Sequence, residues 1–587
     1  MTRYINILPF LLILLFCSCN KEENTFTPTQ NSTQINATLT GIVLDVDENP
    51  VFDANISYNG ISVTTNFSGI YEFKNVSVDS KHNTVTIKKE GYFESARTFR
   101  TSSAKQIIHQ TTMLKKDHDH SFQSAQGGIV ETDKVTINFA PNSIAYDSNK
   151  DTYDGEVLVA ITYLDPMDID LEKKMPGDLT VLTREDIVHK SSTFGMVYVE
   201  LQSASGEPLQ IKEGSTAKLQ IEVPDEFLSD APQSLEASHF DEELGVWRHE
   251  AKATLTGNTY VSDVTHFSCW NYNSSDPSVI ITGRVVDENG QPAAGLWIQI
   301  SNYGGWSGGF GSTDENGEFT GAIAKGKNLK IYIPSPSFFC EGILFLLNDE
   351  IGPFSSDVNV GDIAVDLSDL ESLTIEATFI NCDNDPVTNG VAYAARRLFK
   401  ITNGTLNVTV SGCDDGTAYT FWVHDLDTDR VSERLPLVIG QVNSYEDYSI
   451  CQIEARFIEV IAPDLGINER TTTEIIASDT DEVKNLHGLY KANIAEGWSQ
   501  IELEYTDTNP NGFEKGSWNI TRGTIQFWPF TSVLNYTAGV GDGEVVIEEV
   551  GTDGLGNYIK GHYKIDFEDI NTGIVYEFVG KFNLGIY

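Results

Sequence analysis

The stretch GIVLDVDENPVFDA, residues 41–54, returns twice farther along the chain, as GRVVDENGQPAAGL from Gly283 and as ATFINCDNDPVTNG from Ala377. In each copy a small residue leads a strand-forming run. A polar residue stands four positions on (Asp45, Asp287, Asn381) and a proline nine positions on (Pro50, Pro292, Pro386). This is the order of a first strand, a polar turn, and a proline that opens the next segment where its missing N–H does no harm. The first two copies continue into Thr65-Asn66-Phe67-Ser68-Gly69-Ile70-Tyr71 and Thr313-Asp314-Glu315-Asn316-Gly317-Glu318-Phe319. Both read as hairpin turns in which glycine supplies a positive φ and an aromatic ring re-enters the core.

Between and beyond these repeats nearly everything alternates as strands do, in runs such as Thr84–Ile87, Val157–Ile161 and Leu329–Ile333. Turn signals fall about every ten residues, and a single helical turn is expected at Asp225–Ser229. The expected class is all-β, with tandem β-sandwiches on a flexible tether. The expected division is a signal peptide at 1–18, a tether at 19–35, and β-sandwiches at 36–115, 120–273, 279–367 and 371–452. A C-terminal β domain at 453–587 completes the chain.

The repeated motif resembles the carboxypeptidase regulatory-like domain, a transthyretin-like β-sandwich. The likeness covers 36–115 and 279–367, and more faintly 371–452. That resemblance implies an accessory or spacer module and no peptidase. Residues 120–273 carry a different series: Gly127-Gly128-Ile129-Val130, Val135–Ile144, Gly155-Glu156-Val157, Gly195-Met196-Val197, and Trp247, Gly257 and Tyr260 ahead of Thr265-His266-Phe267-Ser268-Cys269-Trp270-Asn271. These resemble the β-sandwich domain of ankyrins and netrin receptors, and its relatives in cartilage intermediate-layer-type proteins.

The N-terminus reads MTRYINILPFLLILLFCSCNKEE. Its apolar run from Ile7 to Phe16 is about ten residues, short of the ~20 a membrane helix needs. Phe16-Cys17-Ser18-Cys19 resembles a lipobox with Cys19 as the lipidated residue, and Lys21-Glu22-Glu23 resembles the export signal of Bacteroidota-type surface lipoproteins. The resemblance implies a protein held in outer-membrane lipid and facing the cell exterior. The plainer alternative is an ordinary secretory peptide.

With 85 acidic against 39 basic residues the formal charge is −46. Nucleic acid is therefore not an expected partner, because phosphate neutralisation needs clustered Lys and Arg. Beyond the lipobox stand five cysteines. Cys269 reads as a small core residue, while Cys340, Cys382, Cys413 and Cys451 admit three disulfide pairings. No cysteine shows the C-x-x-C spacing of a zinc site, and the metal expectation is none.

His266-Phe267-Ser268 is the sharpest chemical feature. In some relatives of the domain it resembles, this segment cuts itself: the Ser hydroxyl attacks the Phe carbonyl, helped by strain and a histidine base. Any second imidazole has to arrive through the fold, from His239 or His249. The alternative is that these residues simply pack. Gly305-Trp306-Ser307-Gly308-Gly309 matches a nucleophile elbow by coincidence, since no helix follows. Tyr303, Trp306 and Phe310 in the same loop are a candidate ligand surface, or else rings folded over the sandwich edge. Asp147–Asp151, Asp425–Asp429 and Asp507–Gly512 resemble parts of calcium loops but read as solvated turns, so the cofactor expectation is none, with calcium as the alternative. His118 and His120 read as part of a polar junction.

The function expected is non-enzymatic: adhesion, ligand binding or spacing at the cell surface. Capture of a surface glycan or protein for nutrient uptake is one alternative, and self-cleavage at Phe267-Ser268 the other.

Overall fold

A computed structural model describes residues 33–587 apart from 67, 102–105, 169, 294, 302–307, 315, 335–344, 368–370, 413–418, 433, 451–456, 463–466, 472, 481–482, 491–498, 507–515, 528–535, 538–542, 554–555, 569–574 and 586–587. The described residues are all-β, with two four-residue helices, Leu171–Lys174 and Asp225–Leu228. Cys19, Lys21, Glu22, Glu23, Tyr303, Trp306, Cys340, Cys413 and Cys451 lie outside them.

The three repeats share one topology. Each first strand (Gln34–Leu44, Cys269–Val286, Glu371–Ile380) pairs antiparallel with a partner on one side and parallel with the last strand of its unit on the other. The motif residues explain themselves. Asp45, Asp287 and Asn381 each turn a side-chain oxygen back to accept the backbone N–H groups two and four residues on, at 2.7–3.0 Å. That closes the turn and lets the chain re-pair at an isolated bridge: Leu44 with Pro50, Val286 with Pro292, Ile380 with Pro386. Gly69, Gly317 and Gly404 then offer their carbonyls to Val43, Val285 and Phe379 at 2.7–2.8 Å. All three have φ near +70°, and a Cβ there would meet the neighbouring carbonyl at 2.4–2.9 Å.

The second unit is a larger sandwich whose central strands are buried on both faces. Val197, Val199 and Trp270 enter its internal core, while Met196, Tyr198, Cys269 and Trp247 point to a second apolar layer shared with Phe93, Ala96 and Leu114 of the first unit. Alternation of side chains along a strand delivers neighbouring residues to opposite layers. Cys269 is buried there and is the free cysteine among the described residues, whereas Cys382 is disulfide-bonded.

One boundary differs from the sequence reading. Residues 273–279, expected to join two separate sandwiches, lie inside the eighteen-residue strand Cys269–Val286. Its first half pairs within the second unit and its second half is the first strand of the third. Asn-Ser-Ser-Asp-Pro looks like a turn, but pairing along its whole length with strand Val188–Ser203 overrides local composition: Pro277 sits opposite His189, and buried Asn273 donates to Ser238 Oγ at 2.7 Å.

The units interlock rather than follow one another as beads. Around helix Leu171–Lys174, the Glu172 carbonyl accepts from Arg97 of the first unit and its carboxylate from Trp297 of the third at 2.7 Å. Asp170 pairs with Arg396 of the fourth at 3.1 Å. The first and fourth units also share an apolar layer of Ile42, Leu44, Ile70, Val391, Leu398 and Trp422. The C-terminal domain is a ten-stranded, chiefly up-and-down antiparallel sheet running from Phe457 to Gly585.

Candidate functional site

Three strands of the second unit converge on one cluster. His239 sits near the end of strand Ser234–Asp241, paired on one side with Arg248 and on the other with Trp270. Glu250 occupies a register shift in strand Val246–Thr256: Ala237 faces Ala251 and Ser238 faces His249, which leaves Glu250 without a cross-strand partner. Such a bulge re-aims a side chain. His266 lies in the connection between strands Thr259–Val264 and Cys269–Val286.

The result is two imidazoles on one carboxylate. Glu250 Oε2 is 2.8 Å from His239 Nδ1 and 3.5 Å from His266 Nδ1. Thr265 Oγ1 donates to the other oxygen, Oε1, at 2.6 Å. Burial pushes the Glu250 carboxyl up, but the two imidazoles and the Thr265 hydroxyl outweigh it and hold the group well below the usual carboxylate range. The histidine rings meet edge to face at 4.8 Å, and His266 also lies 5.3 Å from the buried Trp270, whose indole N–H donates to the His266 carbonyl at 3.2 Å.

His239 and His266 open onto a cleft of about 520 Å³, lined further by Glu94, Asp241, Glu242, Glu243, Phe267 and Ser268. Burial pushes the Glu242 carboxyl up, and the neighbouring charges of Glu94 and Asp241 push the same way. The cleft is thus acidic, with the imidazoles at its wall.

The predicted His266-Phe267-Ser268 segment stands at this mouth, in a connection rather than within a strand. The Gln210 side chain grips the Phe267 peptide from both sides: its carbonyl oxygen accepts from Phe267 N–H at 2.6 Å, and its amide donates to the Phe267 carbonyl at 2.9 Å. The Ser268 hydroxyl reaches the Cys269 carbonyl at 3.5 Å, and the Ser268 carbonyl accepts from Val199 N–H at 3.2 Å. Of the two distant histidines, the fold delivers His239; His249 is turned to Ser275 Oγ at 3.2 Å. Sequence reasoning missed Glu250 entirely, and nothing short of strand pairing places it.

Elsewhere the candidates serve packing and turns. Phe310 belongs to strand Gly309–Ser312 and stacks on Trp297 with centroids 5.5 Å apart. Asp427 is engaged by Lys74 at 2.8 Å and Asn389 at 3.0 Å, Asp429 by His424 at 2.8 Å, and Asp147 by Lys150 at 2.6 Å. Those carboxylates hold protein partners in turns. Asp507–Gly512 lies outside the described residues.

No family model and no curated protein matches this chain. Among solved structures, similarity is found to the major pilin subunit BcpA of Bacillus cereus, at 11% identity over 57% of this chain and 99% of that one, with a TM-score of 0.12. A Streptococcal ancillary pilin is 12% identical over 38% of this chain and 94% of its own, also with a TM-score of 0.12. A membrane-associated protein of unknown function from Bacteroides fragilis is 7% identical over 41% of this chain and 99% of its own, again with a TM-score of 0.12. At these scores the likenesses carry no argument about function.

Proposed function

We propose that this chain is a non-enzymatic surface lipoprotein, held in outer-membrane lipid through Cys19 and displayed outward by Lys21-Glu22-Glu23, that binds a surface glycan or protein ligand. The repeats act as carboxypeptidase regulatory-like frames, and the second unit, of the ankyrin and netrin-receptor type, presents the ligand face. One observation carries the preference for binding over spacing. Asp170 and Glu172, in and beside a single helical turn, tie the second unit to the first, third and fourth. A spacer gains length from units joined end to end, whereas interlocked units hold loops in fixed relative positions, as a binding face requires. The lipobox-like Phe16-Cys17-Ser18-Cys19 supports a lipid anchor as the attachment.

The test is capture by the purified protein of glycans on an array and of surface proteins in a pull-down. Selective capture weakened by Glu94→Ala or Glu242→Ala supports the reading. Capture of neither class refutes it. Replacing Cys19 by Ala should release the protein from the membrane fraction, and unchanged association contradicts the anchor.

Self-cleavage at Phe267-Ser268 is the second reading, favoured by one contact: the Gln210 amide already donates to the carbonyl that would become an oxyanion. Among the described hydrogen bonds none joins the Ser268 hydroxyl to an imidazole, so a single full-length band on a denaturing gel is expected. Two fragments rejoined by Ser268→Ala would make cleavage the correct reading.

A further inference from the structure

We propose that His239, Glu250 and His266 bind a divalent transition-metal ion, zinc foremost, at the wall of the acidic cleft. The three candidate ligand atoms lie within 4.8 Å of one another. A tetrahedral zinc ion with bonds of about 2.0–2.1 Å sets its ligands roughly 3.3 Å apart. The separations of 2.8 and 3.5 Å about Glu250 Oε2 lie on either side of that value, and a small movement of the imidazoles, which are no more than 4.8 Å from the other ligand atoms, would close the set. His239 Nδ1 is buried and close to the carboxylate, yet the pair is not aligned as a hydrogen bond. That leaves His239 Nδ1 without a partner among the described hydrogen bonds.

The surroundings match a metal site beyond its ligands. Thr265 holds Glu250 Oε1 and leaves Oε2 for the ion, which is the outer hydrogen bond that orients a metal-bound carboxylate. Trp270 fixes the backbone of His266 and packs beside both imidazoles. Two nitrogens and one oxygen suit zinc and its neighbours, whereas calcium and magnesium require shells of oxygen. Three protein ligands leave a fourth position, and both imidazoles line the cleft, which gives an ion and its fourth ligand a way in. The ion would join three chain segments: strands Ser234–Asp241 and Val246–Thr256 and the connection that carries His266. This site stands whatever ligand the protein captures.

The experiment uses the purified protein stripped of metal by a chelator. Zinc is titrated by calorimetry and cobalt by its visible absorption. One ion per chain is expected, with the intense cobalt bands of a four-coordinate site. Glu250→Gln, which preserves shape, should weaken zinc binding at least tenfold, and His239→Ala with His266→Ala should abolish it. Thr265→Val, which touches no ion, should weaken it by about 10–100-fold. His118→Ala with His120→Ala, at the junction of the first two units, should change nothing. Absence of saturable zinc binding overturns the proposal. So does binding that survives Glu250→Gln undiminished in a protein that melts normally, or that vanishes with His118 and His120.

Discussion

In the first unit Asp45 folds its carboxylate back onto the N–H groups of Asp47 and Asn49, and His109 packs on Phe99, ring centroids 4.6 Å apart, with both ring nitrogens buried and unpaired among the described residues. In the second unit Glu250 turns away from its own strand toward two imidazoles at an open cleft. The same residue types have opposite employment. A carboxylate that satisfies backbone donors, or an imidazole sealed against charge, builds the frame. A carboxylate and two imidazoles brought together from three segments and left beside solvent form a site that accepts something else. The difference predicts which substitutions cost stability and which cost binding.

The largest effect should come from the frame. Gly69→Ala places a methyl 2.4 Å from the Val43 carbonyl oxygen at φ +71°. Left-handed strain alone costs about 1–2 kcal/mol, and the clash adds to it, so denaturant unfolding should show a larger loss. A loss under 1 kcal/mol would mean that the turn relaxes and the repeat frame is softer than described.

Next is Asp45→Ala, expected to cost roughly 1–2 kcal/mol by removing two charge-assisted turn bonds. Asp45→Asn should restore most of it, because Asn381 does the same work in the fourth unit through a neutral amide oxygen. Failure of that rescue would show that charge, rather than geometry, closes the turn.

His109 gives a pH test. Burial, aided by the Arg97 charge, lowers its pKa from 6.5 to about 3. A histidine whose folded pKa is depressed contributes its full stability above the unfolded value and loses it as the pH falls. Stability should therefore decline from pH 6.5 toward pH 3, with this residue supplying at most about 1.4 kcal/mol per pH unit. His109→Phe should flatten that part of the profile. An unchanged slope would place the acid sensitivity elsewhere.

The smallest structural effect is expected at the cleft. Glu250→Gln should change metal-free stability by no more than about 1 kcal/mol, as is usual for partly exposed ion pairs. A much larger loss would recast Glu250 as part of the frame.

The frame was legible because its chemistry is local. Asp45, Asp287 and Asn381 act within four residues, and their prolines follow at a fixed distance, so the sequence carries the turn whole. The third copy is fainter because Leu406 stands where the other copies carry the aromatic Tyr71 or Phe319; Gly404 itself does the same work. The junction at 273–279 was misread because polar turn-like residues there are held extended by neighbours distant in sequence. His266 was visible through its motif and His239 only as one of two distant alternatives. Glu250 was invisible, since a bulge breaks the alternation from which its direction would be read.

One thermal-melting experiment tests the whole contrast: the unmutated protein, Asp45→Ala and Glu250→Gln, each with and without zinc. Zinc at a hundredfold excess over its dissociation constant should stabilise the unit that binds it by about 2.7 kcal/mol. The account predicts that Asp45→Ala lowers a melting transition yet keeps the zinc-induced rise, while Glu250→Gln melts within about 1 kcal/mol of the unmutated protein without zinc and keeps no more than about half of the zinc-induced stabilisation. A zinc response undiminished in Glu250→Gln, or lost in Asp45→Ala, would contradict the division between frame and site.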